Sequence, residues 1–445
     1  MATDIPASIT TPDSVETRLG TLRFFDGFPD EATVRTVYDN LDFQRGVQAY
    51  LAGLPAADIC AVREGYRTIG PDNQTLFITE SLMDSRTLYS VANTETVYNI
   101  GWLDTKDGPL VIEMPPKVLG FLSDFWSRWV IDVGRVGPDG GAGGKYLLLP
   151  PDHSGEIPDG YFVVRSRTYG NAILFRGFME GGDLRPAVDN TKAHYRAYPL
   201  DGAADAPAMD FVDLSGRDVN TMPPGDASLF ELVAMVVQEE PLEAADPDTR
   251  GLLAAIGIRK DAPFAPDARM QAILAEAAAV GNATARVVLF STRDRDLYHY
   301  RDGSWKMPCK GDDAEFSPGG VLDLDERTYF FATTCQVTPA MWVKRVGGGS
   351  QYAVTEHDAA GRYLDGGRSY RLHLPPHVPA KDFWSLIVYD PQTRSMLQTD
   401  QRFPSLSSQK QGIVVNPDTS VDVYFGPEPP AGKESNWIQT IPSKG

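Results

Sequence analysis

The chain reads as an α+β protein: two β-rich, sandwich-like domains joined by a helical segment. Three observations predict this. Short β-prone runs punctuated by Gly, Pro, Asp or Asn fill residues 75–165 and recur from residue 286 to the end, the cadence of antiparallel strands. Between these blocks lie two stretches with helical spacing and terminal signals. At 445 residues the chain also exceeds what one hydrophobic core serves, so two or three domains are expected.

Taken in order, residues 1–30 are a Pro- and Thr-rich lead, and residues 31–195 a first α+β domain. Asp30 suits a helix N-cap, and Val34, Val37, Tyr38, Leu41 and Phe43 fall near one helical stripe, which predicts a helix over 30–51. A second helix is expected over 56–67. Strands follow at 75–79, 88–93, 96–102, 110–113, 126–133, 145–150 and 161–166. Residues 196–285 read as linker and helical segment: 196–226 is rich in Pro, Asp, Gly and Ala, and Ser228-Leu-Phe-Glu offers a capping box. A helix from Pro266 should stop at Gly281. Residues 286–445 form the second, sandwich-like domain, with strands at 329–334, 368–374, 383–390, 412–416 and 420–425 and a hairpin turn at Asn416-Pro-Asp.

With 41 basic and 60 acidic side chains the formal charge is −19, which repels phosphate backbones and anionic lipid headgroups. No nucleic-acid partner is expected. Arg293 and Arg295 alternate with Asp294 and Asp296 and make no local exception. No run approaches about 18 consecutive apolar residues and no signal peptide is visible, so no membrane span and a cytoplasmic protein are expected as written. Cys60, Cys309 and Cys335 lack any Cys-x-x-Cys spacing, which argues against a disulfide framework or zinc cluster and leaves a Cys309–Cys335 bridge open.

Most catalytic motifs fail on their spacing. The Gly-rich loop from Gly134 to Lys145 has Asp139 and Tyr146 where a phosphate loop needs Gly and Ser or Thr, and it leads into a strand, so it reads as a tight connection needing positive φ. Neither a nucleophile elbow nor a His-Glu-x-x-His helix is present. His373 and His377 are separated by Pro375 and Pro376, which forbid the helix that would align them, so no metal or cofactor is expected.

Two polar clusters survive. Asn93-Thr-Glu-Thr-Val-Tyr98 is either a solvated edge or a pocket lining. The second cluster combines the aromatic segment around Trp384 with Arg394, Asp400 and Arg402, spaced so that Asp400 could orient an arginine. Its alternatives are an ion-pair network tying down a loop, an aromatic-lined pocket, or simple core.

Asp84-Ser-Arg-Thr-Leu, Ala92 to Tyr98, Arg128-Trp-Val-Ile-Asp132 and Gly141 to Pro151 resemble the DUF1254 family. Gly348-Gly-Ser-Gln-Tyr352, Gly366 to Pro376, Lys381-Asp-Phe-Trp-Ser385, Tyr389 to Met396 and Asn436-Trp437 resemble the DUF1214 family. The resemblance implies paired domains of unknown function, β-rich at both ends with helices between, and admits a periplasmic or secreted setting. It supplies no catalytic residues. Similar chains continue past the Pro-Ser-Lys-Gly equivalent; if a closing strand is missing here, the sandwich presents an open sheet edge through which a homo-oligomer could form.

The expected activity is hydrolytic, on a small neutral, sugar-like or aromatic compound held between the β domains. Tyr98, Arg394 and Asp400 are the catalytic candidates, with Asn93, Thr96, Trp384 and Arg402 binding substrate. The alternative is a non-catalytic ligand- or glycan-binding or surface interaction protein using the same aromatics.

Overall fold

The structure is a computed structural model describing residues 3–311, 313–341, 343 and 349–445. Gly348 of the motif quoted above lies outside the described residues. After a three-stranded meander over 14–29, helix α1 runs unbroken from Glu31 to Arg67. The Asp30 carboxylate accepts the Thr33 N–H at 2.7 Å and caps it as expected. The two helices expected from sequence are therefore one. Pro55 removes one intrahelical hydrogen bond, but burial of the whole stretch Gly53–Val62 keeps the helix continuous through it. Of the stripe read from sequence, Val34, Val37 and Tyr38 are exposed and Leu41 and Phe43 half-buried, and burial begins in earnest at Gly46.

The remaining helices are α2 (Arg185–His194), α3 (Leu229–Glu239), α4 (Pro247–Ala255), α5 (Ala268–Phe290) and α6 (Leu324–Phe331). Four of them, α3 to α6, pack on α1. Three expectations change here. Ser228 makes no cap bond to α3, because its hydroxyl is held by Asp226. Helix α5 continues past Gly281, which sits against the Tyr50 ring so closely that a Cβ would lie 2.7 Å from it: the glycine permits helix approach rather than ending the helix. Residues 329–331 are helical, because Asp323 caps α6 through the Glu326 N–H and the Tyr329-Phe-Phe trio is buried around Phe316. Helix α5 is also long and apolar enough to cross a membrane by length and composition, which a search for an unbroken apolar run does not register.

The first β block forms two sheets. One has six strands in the order Asp210–Asp213, Thr75–Ile78, Thr96–Asp104, Gly170–Phe178, Leu119–Asp124 and Trp129–Gly134. The other has four, Phe162–Arg165, Gly144–Leu149, Leu110–Met114 and Arg196–Pro199. Segment 196–226, expected as linker, thus contributes a strand to each. Alternation sends Tyr98, Ile100 and Trp102 toward α1 and Val97 and Leu103 into the core between the sheets. The Gly-rich loop is the tight connection expected. Asp139 accepts the Gly134 and Gly143 N–H groups and the Tyr146 hydroxyl, while Gly134, Gly140, Gly141 and Gly143 have positive φ. All three cysteines are free and buried.

The second block is smaller: Tyr370–Leu374, Val421–Gly426 and Trp437–Gln439 make one sheet, and Ser385–Ile387 with Ser405–Ser407 another. They close over Leu406, Val421, Val423 and Ile438. The turn at Asn416 forms, with its N–H on the Ser420 carbonyl at 2.9 Å, but residues 412–416 are not a strand. The Asn436 side chain takes both backbone groups of Val414 instead, occupying the place of a partner strand.

Candidate functional site at the domain junction

Only Thr87–Leu88 of the strand expected over 88–93 is formed; the rest is irregular chain that meets the second β block. The Val91 N–H donates to the Arg394 carbonyl at 3.0 Å. The Tyr389 hydroxyl reaches the Ala92 carbonyl at 2.8 Å, and Thr94 and Ser405 share a 2.8 Å hydroxyl contact. Ser407 donates to the Glu95 carboxylate at 2.6 Å, and burial raises the pKa of that carboxyl against its two hydroxyl bonds. The polar run 93–98 is thus a docking strip, partly buried and dense in hydrogen bonds. Asn93 and Thr96 serve within it: the Asn93 side chain accepts from the Glu95 N–H, the Thr96 N–H and the Thr96 hydroxyl, while the Asn93 backbone N–H donates to the Tyr98 phenol at 3.1 Å.

Beneath this strip lies a group of buried polar side chains from three parts of the chain. Asp58, in the fully buried half of α1, is 3% exposed and its Oδ2 finds no hydrogen-bond partner. Burial holds its carboxyl well above the usual carboxylate range, opposed by the charge of Arg394 from the second block. Arg394 is itself pushed down by burial, and its Nε is buried without a partner although its Nη1 donates to the Gln392 carbonyl at 3.0 Å. The Tyr50 phenol, raised by burial, feels both charges; the Cys335 thiol, near enough to feel Asp58, is pushed up by burial to about 12, and the Tyr66 and Tyr89 phenols beside Cys335 are likewise raised by burial. Tyr98 stands opposite Arg176 in strand register, so the two share a face, and burial outweighs the guanidinium in raising its phenol. Val91 and Arg394 both have left-handed backbones, φ 44° and 58°.

Two family models match, both described as proteins of unknown function: DUF1254 over residues 73–199 and DUF1214 over residues 349–445. The chain carries a DUF1254 domain followed by a DUF1214 domain. No curated protein matches it. The crystal structure of the VPA0106 protein from Vibrio parahaemolyticus is 19% identical, covers 91% of this chain and 92% of its own, and superposes with a TM-score of 0.51, which shows the shared fold. A putative uncharacterized protein from Burkholderia cenocepacia is 13% identical over 91% of this chain and 88% of its own, with a TM-score of 0.33.

The site residues expected from sequence are distributed unevenly over this junction. Tyr98 of the DUF1254 domain and Arg394 of the DUF1214 domain both reach its interior. Asp400 does not orient an arginine: its carboxylate takes the Gln439 amide at 3.0 Å within the DUF1214 domain. Arg402 crosses instead to Asp84 of the DUF1254 domain at 3.2 Å, as a strut between domains. Trp384 does not join the polar group around Asp58; it lines a groove of about 340 Å³ with Phe383, His377 and Asp382, the last paired with Arg135 of the DUF1254 domain at 3.0 Å. Neither histidine of the His-Pro-Pro-His turn gathers a ligand set; His373 pairs with Asp422 at 2.9 Å. Asp58 was the residue to find. Its signal was a lone acid inside Leu54-Pro-Ala-Ala-Asp-Ile-Cys-Ala-Val, a run otherwise apolar and helical.

A buried carboxyl without a partner costs about 1–3 kcal/mol or more and needs a reason to persist. Kept protonated, Asp58 can donate a hydrogen bond or a proton; ionised, it can take one back, and the positive charge of Arg394 lowers the cost of that state.

Proposed function

We propose that the two domains enclose a site for a small neutral, sugar-like or aromatic compound and that the protein hydrolyses it there by acid–base chemistry. Asp58 takes the role that sequence spacing suggested for Asp400. The observation that carries this reading is the unpartnered Asp58 carboxyl facing the charge of Arg394 across the domain junction. In this scheme the Asp58 carboxylic acid protonates the departing oxygen as its bond to carbon breaks. The resulting carboxylate then takes a proton from water as the water oxygen bonds to that carbon, which restores the acid. Arg394 and Tyr98 hold an oxygen of the substrate. The aromatic walls suit a ring, and the acidic surface disfavours anionic substrates.

A compound recovered from the purified protein by native mass spectrometry identifies the candidate substrate. Asp58→Asn and Arg394→Lys are then expected to lower its turnover by at least about 100-fold, with Asp400→Asn at the wild-type rate. Full turnover by Asp58→Asn overturns the assignment. A non-catalytic glycan binder is the second reading, favoured by the Trp384 groove, where an indole and a phenyl ring line an open surface. Retention of glycan binding in Asp58→Asn with its loss in Trp384→Ala decides for that reading.

A further inference from the structure

The N-terminal part of the apolar stripe of α1 is solvent-exposed, and this points to a partner. Val34, Val37 and Tyr38 are 37%, 39% and 60% exposed, and Leu41 continues the series at the spacing i, i+3, i+4, i+7 of a helix-packing seam. Beside them, the meander over 14–29 folds onto the start of α1 through the Arg23 N–H on the Thr33 hydroxyl at 2.8 Å and the Asp30 N–H on the Arg23 carbonyl at 3.1 Å. Its paired Phe25 and Phe28 are 81% and 73% exposed. The meander has no buried side chain of its own, and a small sheet without a covered apolar face is marginal in water.

We propose that a second copy of this chain covers this face, with the first four turns of α1 packed antiparallel against the same turns of the partner. Three observations favour a second copy over other occupants. The surface is self-complementary: an antiparallel pair centred between Val37 and Tyr38 sets Val34 against the partner's Leu41, which is the isologous geometry of a two-fold dimer. The charges agree, because that pairing brings Glu31 of each helix beside Arg45 of the other, and both side chains are exposed. The size fits as well: the five exposed apolar side chains present on the order of 500 Å² per chain, most of the roughly 800 Å² a stable interface covers on each partner. A lipid surface is disfavoured, since over residues 3–45 acidic side chains outnumber basic ones eight to four.

Sedimentation velocity of the full chain tests this. The wild type is expected to be dimeric at about 10 µM. Val37→Lys/Tyr38→Lys should be monomeric with an unchanged far-UV circular dichroism spectrum. Arg45→Glu should weaken dimerisation by about tenfold or more, and Glu31→Arg/Arg45→Glu should restore it. A wild type monomeric up to about 100 µM, or a dimer indifferent to Val37→Lys/Tyr38→Lys, overturns the proposal. So does a monomer that floats with neutral phosphatidylcholine vesicles.

Discussion

The Val91 N–H donates to the Arg394 carbonyl, 3.0 Å across the domain junction, and both residues hold left-handed backbones. For a β-branched valine this conformation is a strained one, costing on the order of 1–3 kcal/mol, and it persists because the surroundings over-determine it. Here the surroundings are the Tyr389 hydroxyl on the carbonyls of Val91 and Ala92 and the Asp390 carbonyl on the Arg394 N–H. Strain where the two domains meet, at the residue whose charge acts on unpartnered Asp58, marks this junction as the candidate site.

Val91→Gly should leave stability unchanged or raise it by up to about 1 kcal/mol, since relief of strain opposes the added freedom of the unfolded chain. Val91→Pro should lower it by about 3 kcal/mol or more, because proline deletes the donor and cannot adopt the positive φ. Urea unfolding measures both. Destabilisation of Val91→Gly by more than about 1 kcal/mol would show that the backbone there is not strained.

Tyr389→Phe removes the hydroxyl that latches the Ala92 carbonyl and should cost about 1–2 kcal/mol. The loss should be local: hydrogen exchange at the Val91 amide should accelerate about tenfold or more while the amides of Thr96–Asp104 keep their protection. Uniform acceleration through that strand would mean that the junction and the sheet open together.

Glu240 is buried and accepts the N–H groups of Tyr169 and Gly170 at 2.6 and 2.9 Å, yet burial outweighs these bonds and raises its carboxyl to about 7. The folded state therefore binds its proton more tightly than the unfolded chain does. Its contribution is fully present below the ordinary glutamate pKa and is lost as pH rises through about 7, by as much as about 3 kcal/mol. The stability of the wild type relative to Glu240→Gln should fall between pH 5 and pH 8. A pH-independent difference would refute the assignment.

Gly281→Val should destabilise by about 2 kcal/mol or more, as overpacking does in a tight interior. Its Cβ would meet the Tyr50 ring at 2.7 Å where α5 crosses α1. Thermal unfolding checks this, and the double variant with Tyr50→Ala should recover part of the loss.

Sequence alone determined the features that depend on near neighbours along the chain. The Asp30 cap, most strands of the first sheets, the Asp139 loop and the α+β class were legible because capping, alternation and glycine conformation are local. The pairing of DUF1254 with DUF1214 was legible from its motifs. Tertiary structure decided the rest. Pro55 ends a helix by local rules, yet burial on all sides carries α1 through it. Periodicity located the stripe from Val34 to Leu41 but could not say that Val34, Val37 and Tyr38 stay exposed. Residues 329–331 follow burial around Phe316 over their β propensity. At the site, spacing in sequence paired Asp400 with the arginines, whereas the fold gave Asp400 to Gln439 and set Arg394 facing Asp58. Those two residues lie more than 330 positions apart, and no local pattern encodes the charge interaction between them. The domain junction supplies it, by burying the acid and bringing the arginine's charge within reach.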